Sequence, residues 1–123
     1  MDSWLNLPDV AERLGTDVGR VRRLVQDRHL LALRRGDRLI MSVPERFLVA
    51  TGDGWAVIPS LRGTLVLLAD AGFSDEESVR WLFEPDPTLA NQALPPGTVP
   101  APIDALAAGQ KTEVRRRAQA LAL

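Results

Sequence analysis

Arginine is the residue type whose spacing in this sequence points most clearly to chemistry. Seven arginines lie within residues 18–38, where the acidic residues are Asp27 and Asp37. A guanidinium group binds phosphate oxygens, and its planar fork also pairs with the N7 and O6 atoms of guanine. Such a cluster predicts contact with nucleic acid rather than catalysis.

A catalytic or metal-binding role has little support in the composition. The chain has no cysteine and its single histidine is His29, so neither a thiolate site nor a multi-histidine centre can be assembled. No glycine-rich phosphate loop is present, and the acidic residues 75–77 directly follow Ser74, an arrangement typical of a helix cap. We therefore predict a protein that is not an enzyme and that binds no metal or cofactor.

Length and charge distribution limit the architecture. With 123 residues, 46% of them hydrophobic, the chain can bury a core as one compact domain or two very small ones. The net charge of -1 hides an asymmetry, because residues 1–50 carry nine basic and seven acidic side chains and residues 51–123 carry six and nine. The basic N-terminal half is compatible with a polyanionic partner, since binding depends on local charge.

Membrane insertion and export are not expected. No stretch approaches the roughly 18 consecutive apolar residues of a spanning helix, and the N-terminus is acidic, unlike a secretion signal. The absence of cysteine fits a reducing compartment. We expect a cytoplasmic protein with no membrane partner.

Two short helices separated by a tight turn are predicted to position the first arginines. Pro8 suits the first turn of helix one, and Gly15 supplies the left-handed residue that ends it. Thr16 is a suitable cap for helix two, which is expected to span residues 17–28. The length of the turn is that of a helix-turn-helix.

Helix two has an apolar face and a polar face. Val18, Val21, Leu24 and Val25 recur at helical spacing and are predicted to face the core. At about 100° per residue, most of the arginines fall on the opposite side, which we expect to enter the major groove as a recognition helix. The candidate DNA-binding residues of this helix and its preceding turn are Thr16, Gly19, Arg20, Arg22, Arg23 and Gln26.

A basic hairpin follows directly. The apolar runs 30–33 and 39–41 are predicted strands joined at Gly36-Asp37, with Arg34, Arg35 and Arg38 near the tip. We interpret residues 30–41 as a wing that contacts the flanking DNA backbone or the minor groove. The alternative interpretation is that the arginines of helix two form a solvated helix face and those of the hairpin are ordinary polar tip residues.

The C-terminal half is predicted to be helical. We expect a helix opened by Pro44, a short extended segment at 55–58, helices at 61–71 and after Ser74, and a proline-rich connection at about 85–102. Two further helices are expected at 103–108 and 112–123, and the three tryptophans are expected in the core. We place the domain boundary between residues 53 and 54.

Three segments resemble known families. The N-terminal segment VAERLGTDVGRVRRLVQDRHLLALRRGDRLIMSVPE resembles the winged helix-turn-helix of MerR-type regulators and excisionases. Together with PSLRGTLVLLADAGFSDEESVRWLFEPDPTL and PIDALAAGQKTEVRRRAQALA, it resembles a family of small actinobacterial DNA-binding proteins that is typified by a mycobacterial winged-helix protein. The C-terminal pattern is also similar to the toxin-binding domain of Xre/MbcA/ParS antitoxins, with residues 90–101 as an insertion.

These resemblances imply a mainly α fold with a small β-hairpin wing, in which a winged helix-turn-helix is followed by a small helical C-terminal domain. They imply a DNA-binding protein, a transcriptional regulator whose partner is double-stranded DNA. The alternative is an antitoxin-like or dimerising interaction module, in which the C-terminal helices bind a protein partner or a second copy of the chain.

Overall fold

The computed structural model describes residues 3–89 and 94–122. The chain divides into two compact units, Met1–Arg62 and Gly63–Leu123. The observed architecture is mainly α with small antiparallel sheets, which confirms the predicted fold class. Within the described residues, no helix has the length and apolar character that a membrane span requires.

The first unit contains the predicted pair of helices. Helix α1 spans Leu7–Leu14 and ends at Gly15, whose φ of 67° is left-handed as expected. Helix α2 spans Val18–Gln26 and is capped by Asp17, whose Oδ1 accepts a hydrogen bond of 2.8 Å from the backbone N–H of Arg20. The expectation that Thr16 caps this helix is wrong, because Asp17 occupies the cap position. The backbone N–H of Thr16 donates to the Ala11 carbonyl at 2.9 Å and so belongs to the end of α1.

The predicted wing is present as part of a three-stranded sheet. Strands β1 (Trp4–Asn6), β2 (Leu33–Arg35) and β3 (Ile40–Pro44) are antiparallel and lie in the order β1-β3-β2. Strand β1 was not predicted, since three residues are too few for an alternating pattern to be read. The β2–β3 connection is a four-residue turn, residues 36–39, rather than a two-residue Gly-Asp turn. In this turn the N–H of Leu39 donates to the Gly36 carbonyl at 3.1 Å.

The prediction of a helix after Pro44 is wrong. A single 3-10 turn, Glu45–Phe47, leads into strand β4 (Leu48–Ala50), which pairs antiparallel with β5 (Trp55–Val57). The N–H of Thr51 donates to the Gly54 carbonyl at 2.8 Å, so residues 51–54 close a hairpin. Tertiary pairing with β5 thus overrides the helix-start pattern, and it places β5 in the first unit.

The core of the first unit lies beneath α1, α2 and the sheets. Val21 is the fully buried residue of the apolar stripe of α2, and Val18, Leu24 and Val25 are half-buried. Trp55 is 39% exposed and therefore does not belong to the core as expected. The largest completely buried side chains of this unit are Val10, Val21, Leu30, Leu31, Phe47, Ile58 and Leu61.

The second unit is helical. Helices α3 (Leu61–Asp70), α4 (Asp75–Phe83), α5 (Pro102–Ala107) and α6 (Lys111–Ala120) agree with the predicted helices to within three residues at each end. The predicted cap of α4 is confirmed: Ser74 Oγ accepts from the N–H of Glu77, and Glu77 Oε1 accepts from the N–H of Ser74. The core of the unit includes Leu65, Leu68, Val79, Leu82, Ile103, Leu106 and Val114.

The proline-rich connection lies between α4 and α5. Its two ends meet where the N–H of Asp86 donates to the Pro100 carbonyl at 2.7 Å. Residues 90–93, the first part of the expected insertion, lie outside the described residues. Trp81 is half-buried rather than a core residue.

Candidate nucleic-acid interface

Helix α2 presents one continuous polar face. Its exposed residues fall within about 160° of the helix circumference, with Gln26, Gly19 and Arg23 in the middle and Arg22 and Arg20 at the two edges. The opposite side carries Val21 and the half-buried apolar residues. The outward face is therefore polar, basic and accessible over the length of the helix.

Local packing in the first turn of α2 accounts for the glycine on its polar face. A Cβ on Gly19 would lie 3.2 Å from Oδ1 of Asp17, the capping carboxylate. A glycine at this position thus leaves room for the cap, in addition to the close backbone approach to DNA expected from the sequence. Thr16, directly before the cap, is half-buried.

The arginines of this face are not engaged by acidic groups. Among the described residues, no carboxylate forms an ion pair with Arg20, Arg22 or Arg23. Arg13 differs, because its Nη1 lies 3.1 Å from Oε1 of Glu45 and its guanidinium stacks 4.6 Å from the ring centroid of Trp55. The positive charge of α2 is therefore exposed to an incoming ligand.

Helix α2 ends in a tight turn that leads into the wing. Arg28 has a left-handed φ of 64°, and the N–H groups of both His29 and Leu30 donate to the Leu24 carbonyl, at 2.9 and 3.2 Å. Nε of Arg62 donates to the Asp27 carbonyl at 3.0 Å, which satisfies another group at the helix end. His29 is exposed and lies in this turn.

The wing arginines are exposed but do not share one face. Arg34 lies opposite Met41 and Arg35 lies opposite Ile40, and successive side chains of a strand point to opposite sides of the sheet. The guanidinium of Arg35 stacks 4.2 Å from the ring centroid of Trp4 on β1. Arg38 lies in the turn itself.

Sequence reasoning missed the two tryptophans that hold arginines. Trp4 contacts Arg35, and Trp55 contacts Arg13. The negative potential of each ring face stabilises its contact with the guanidinium group. Each pair joins residues that are more than 30 positions apart, so no local spacing could have indicated it. The contact between Arg35 and Trp4 links the end of β2 to β1, on the other side of β3.

Perturbed carboxyls occur in the second unit. The backbone N–H of Ser74 holds the pKa of Glu77 below its ordinary value of 4.5, and the hydroxyl of Thr88 holds the pKa of Asp86 below 3.8. Arg117 also lies 3.3 Å from Asp86. Both carboxyls serve local hydrogen bonding, and residues 3–89 and 94–122 bring no three His, Asp or Glu side chains together as a metal site.

Comparison with known proteins identifies the family. Residues 2–48 match the family model "DNA-binding protein Rv2175c, wHTH domain", and residues 58–122 match the "Rv2175c C-terminal domain of unknown function". The DNA-binding protein Rv2175c of Mycobacterium tuberculosis is 41% identical over 120 residues, a match that covers 95% of this chain and 79% of the relative. The NMR structure of Rv2175c superposes with a TM-score of 0.82 at 40% identity, covering 98% of this chain and 82% of that one. The chain therefore belongs to the Rv2175c family, with a winged helix-turn-helix domain followed by the C-terminal domain of that family.

Proposed function

We propose that this protein binds double-stranded DNA and acts as a transcriptional regulator, with α2 in the major groove and the wing on the flanking backbone or minor groove. The observation that carries the proposal is the exposed arginine face of α2, which no acidic group neutralises within the described residues. The family relative named as a DNA-binding protein supports it. Such a role would place the protein in the cytoplasm.

The position of each side chain on α2 suggests its role. Arg23 and Gln26, near the middle of the face, are proposed to pair with guanine and adenine, respectively. Arg20 and Arg22, at the edges, are proposed to contact the phosphates on either side of the groove. Gly19 lets the backbone approach the DNA closely.

The remaining candidate residues are proposed to position the protein on the duplex. Thr16, at the start of α2, can donate its hydroxyl to a phosphate. Arg34 and Arg38 are proposed to contact the flanking backbone from the wing, and Arg35, which stacks on Trp4, is proposed to contact it from the other face of the sheet. These contacts carry no sequence information but supply much of the affinity.

A salt-titrated gel shift against a random DNA pool, followed by sequencing of the bound fraction, tests the proposal. An enriched motif is expected for a regulator, whereas uniform binding would indicate a role in general DNA packaging. In the same assay, Arg23→Ala is expected to weaken binding to the enriched site by about 5- to 150-fold and to relax the preference at one base pair. Arg80→Ala, which removes an exposed arginine from helix α4, is the matched control. Affinity that survives removal of all six arginines at positions 20, 22, 23, 34, 35 and 38 would refute the proposal.

A second candidate role is contact with a protein partner or a second copy through the C-terminal helices, as the antitoxin-like resemblance suggests. It is favoured by a surface cavity of about 340 Å³ in the second unit, lined in part by Trp81, Pro85, Pro102 and Leu121. Helix-turn-helix regulators commonly bind paired half-sites as dimers. Sedimentation of the full chain tests self-association, and Leu121→Glu is expected to weaken it if this surface is the contact.

A further inference from the structure

The tip of the wing exposes two adjacent apolar side chains. Leu39 is 59% exposed and Ile40 is 49% exposed, and Leu39 is the most exposed of the large hydrophobic side chains in the described residues. Leu39 closes the turn and Ile40 begins β3, so both lie where the hairpin ends. Neither side chain contributes to the core of its unit.

The backbone makes leucine a costly choice at position 39. Leu39 has a φ of 51°, in the left-handed region that favours glycine and asparagine. The same turn contains a second left-handed residue, at φ 76°, and there the sequence does have a glycine, Gly36. Folding therefore accounts for Gly36 but disfavours Leu39 both by its conformation and by its exposure. A residue held in a strained conformation without a packing benefit indicates a functional role.

Positive charges surround the apolar pair. Arg38 directly precedes Leu39, and Nη1 of Arg34 lies 3.5 Å from the Leu39 carbonyl oxygen. Ile40 lies directly across the hairpin from Arg35, whose guanidinium is held on Trp4. A small apolar tip flanked by arginines is complementary to a polyanion that has an apolar interior. DNA has this composition, since its phosphates flank stacked bases.

We propose that Leu39 and Ile40 form an apolar wedge that enters the minor groove, opens one base step and bends the duplex. This proposal rests on the proposed DNA-binding function and adds a mechanical consequence to it. Apolar wedges of this kind unstack bases and bend DNA by roughly 20 to 90° toward the major groove. The neighbouring arginines hold the phosphates while the wedge enters.

The wedge also predicts a form of sequence preference without base contacts. Pyrimidine–purine steps are the easiest to unstack and kink. The preferred DNA should therefore carry such a step at a fixed distance from the bases contacted by α2, and replacing that step with a stiff A-tract should weaken binding.

The test measures bending and binding separately, with the full chain and a duplex labelled at both ends for energy transfer. The wild type is expected to bring the two ends closer. The variant Leu39→Asn removes the apolar side chain and suits the left-handed φ, so it keeps the turn, and it is expected to bind while leaving the duplex nearly straight. Leu39→Met, which keeps an apolar side chain, is the matched control and should bend the duplex as the wild type does.

The outcomes separate this proposal from the one on which it rests. If the wild type binds no duplex, both proposals are wrong. If it binds and leaves the DNA straight, or if Leu39→Asn bends the DNA as strongly as the wild type, the wedge is wrong and DNA binding stands. If Leu39→Asn changes the sedimentation of the free protein and leaves the bend unchanged, the apolar tip is a contact between copies and the wedge is again wrong.

Discussion

The salt dependence of DNA affinity most directly tests which arginines reach the phosphates. Arg20, Arg22, Arg23 and Arg38 make no ion pair within the described residues, and Arg34 makes only a 3.5 Å hydrogen bond to a backbone carbonyl. Each neutralised phosphate adds about 0.9 to the slope by which log affinity falls with log salt concentration. On an arbitrary duplex, which lacks the guanine that Arg23 is proposed to contact, all five side chains are expected to bind phosphates. The slope is then about −4.5 and affinity falls about 500-fold between 50 and 200 mM salt.

The double substitution Arg34→Gln with Arg38→Gln removes two of these contacts. The slope should fall in magnitude by about 1.8, to about −2.7, and the loss of affinity over the same salt range should shrink to about 40-fold. Fluorescence anisotropy of a labelled duplex at four or more salt concentrations measures the slope. The control, Arg80→Gln with Arg116→Gln, removes the same charge from exposed positions on α4 and α6 and should leave the slope unchanged.

Two results would refute this assignment. If the wing variant has the wild-type slope, Arg34 and Arg38 do not contact phosphates. If the control lowers the slope as much as the wing variant does, the second unit contributes to the interface and the charge of α2 and the wing does not define it. Circular dichroism of each variant shows that the comparison concerns folded protein.

Three predictions concern stability, measured by urea unfolding. Ser74→Ala should lower the free energy of unfolding by about 1 kcal/mol because it removes the cap of α4. Ser78→Ala should raise it by about 1 kcal/mol, because the hydroxyl of Ser78 is fully buried and has no hydrogen-bond partner among the described residues; equal signs for the two variants would contradict this. Gly15→Ala should lower the free energy of unfolding by about 1 kcal/mol, since φ is 67° there. Gly52→Ala should leave it unchanged, because an added Cβ is equally unobstructed there and the backbone is not left-handed. A similar loss at both positions would exclude backbone strain as the cause. Because the folded-state pKa of Glu77 is lowered, the stability that its carboxylate contributes is complete above about pH 4.5 and is lost as pH falls through the lowered pKa. Glu77→Gln should therefore lose less stability on acidification than the wild type, and an unchanged dependence of unfolding free energy on pH would contradict this.

Elements specified by local signals could be predicted from the sequence. Helix α1 ends at a left-handed Gly15, and α4 begins at a capping box formed by Ser74 and Glu77, so both boundaries depend on residues within one turn of the boundary. The polar and apolar sides of α2 follow from the helical period alone. The face proposed for DNA contact could therefore be predicted from the sequence alone.

Elements specified by pairing across the chain could not be predicted. Strand β1 forms because Leu5 lies opposite Val43 on β3, and β4 forms because Leu48 lies opposite Val57 on β5. Each of these strands spans three residues, so its own pattern is too short to distinguish a strand from a helix. The stacking of Arg35 on Trp4 depends on the same β1 pairing and was hidden for the same reason.

The wing is a more decisive test of function than the recognition helix. Arginine is a strong helix former, so folding alone tolerates Arg20, Arg22 and Arg23 on an exposed face of α2, whether or not they contact DNA. No comparable benefit applies to an exposed strand and turn. Stacking on Trp4 gives Arg35 a role in folding, but Arg38 has no partner within the described residues, and Leu39 is both exposed and strained. Since folding does not favour the residues at positions 38 and 39, a loss of DNA affinity or bending in their variants would reflect contact with the ligand rather than damage to the fold.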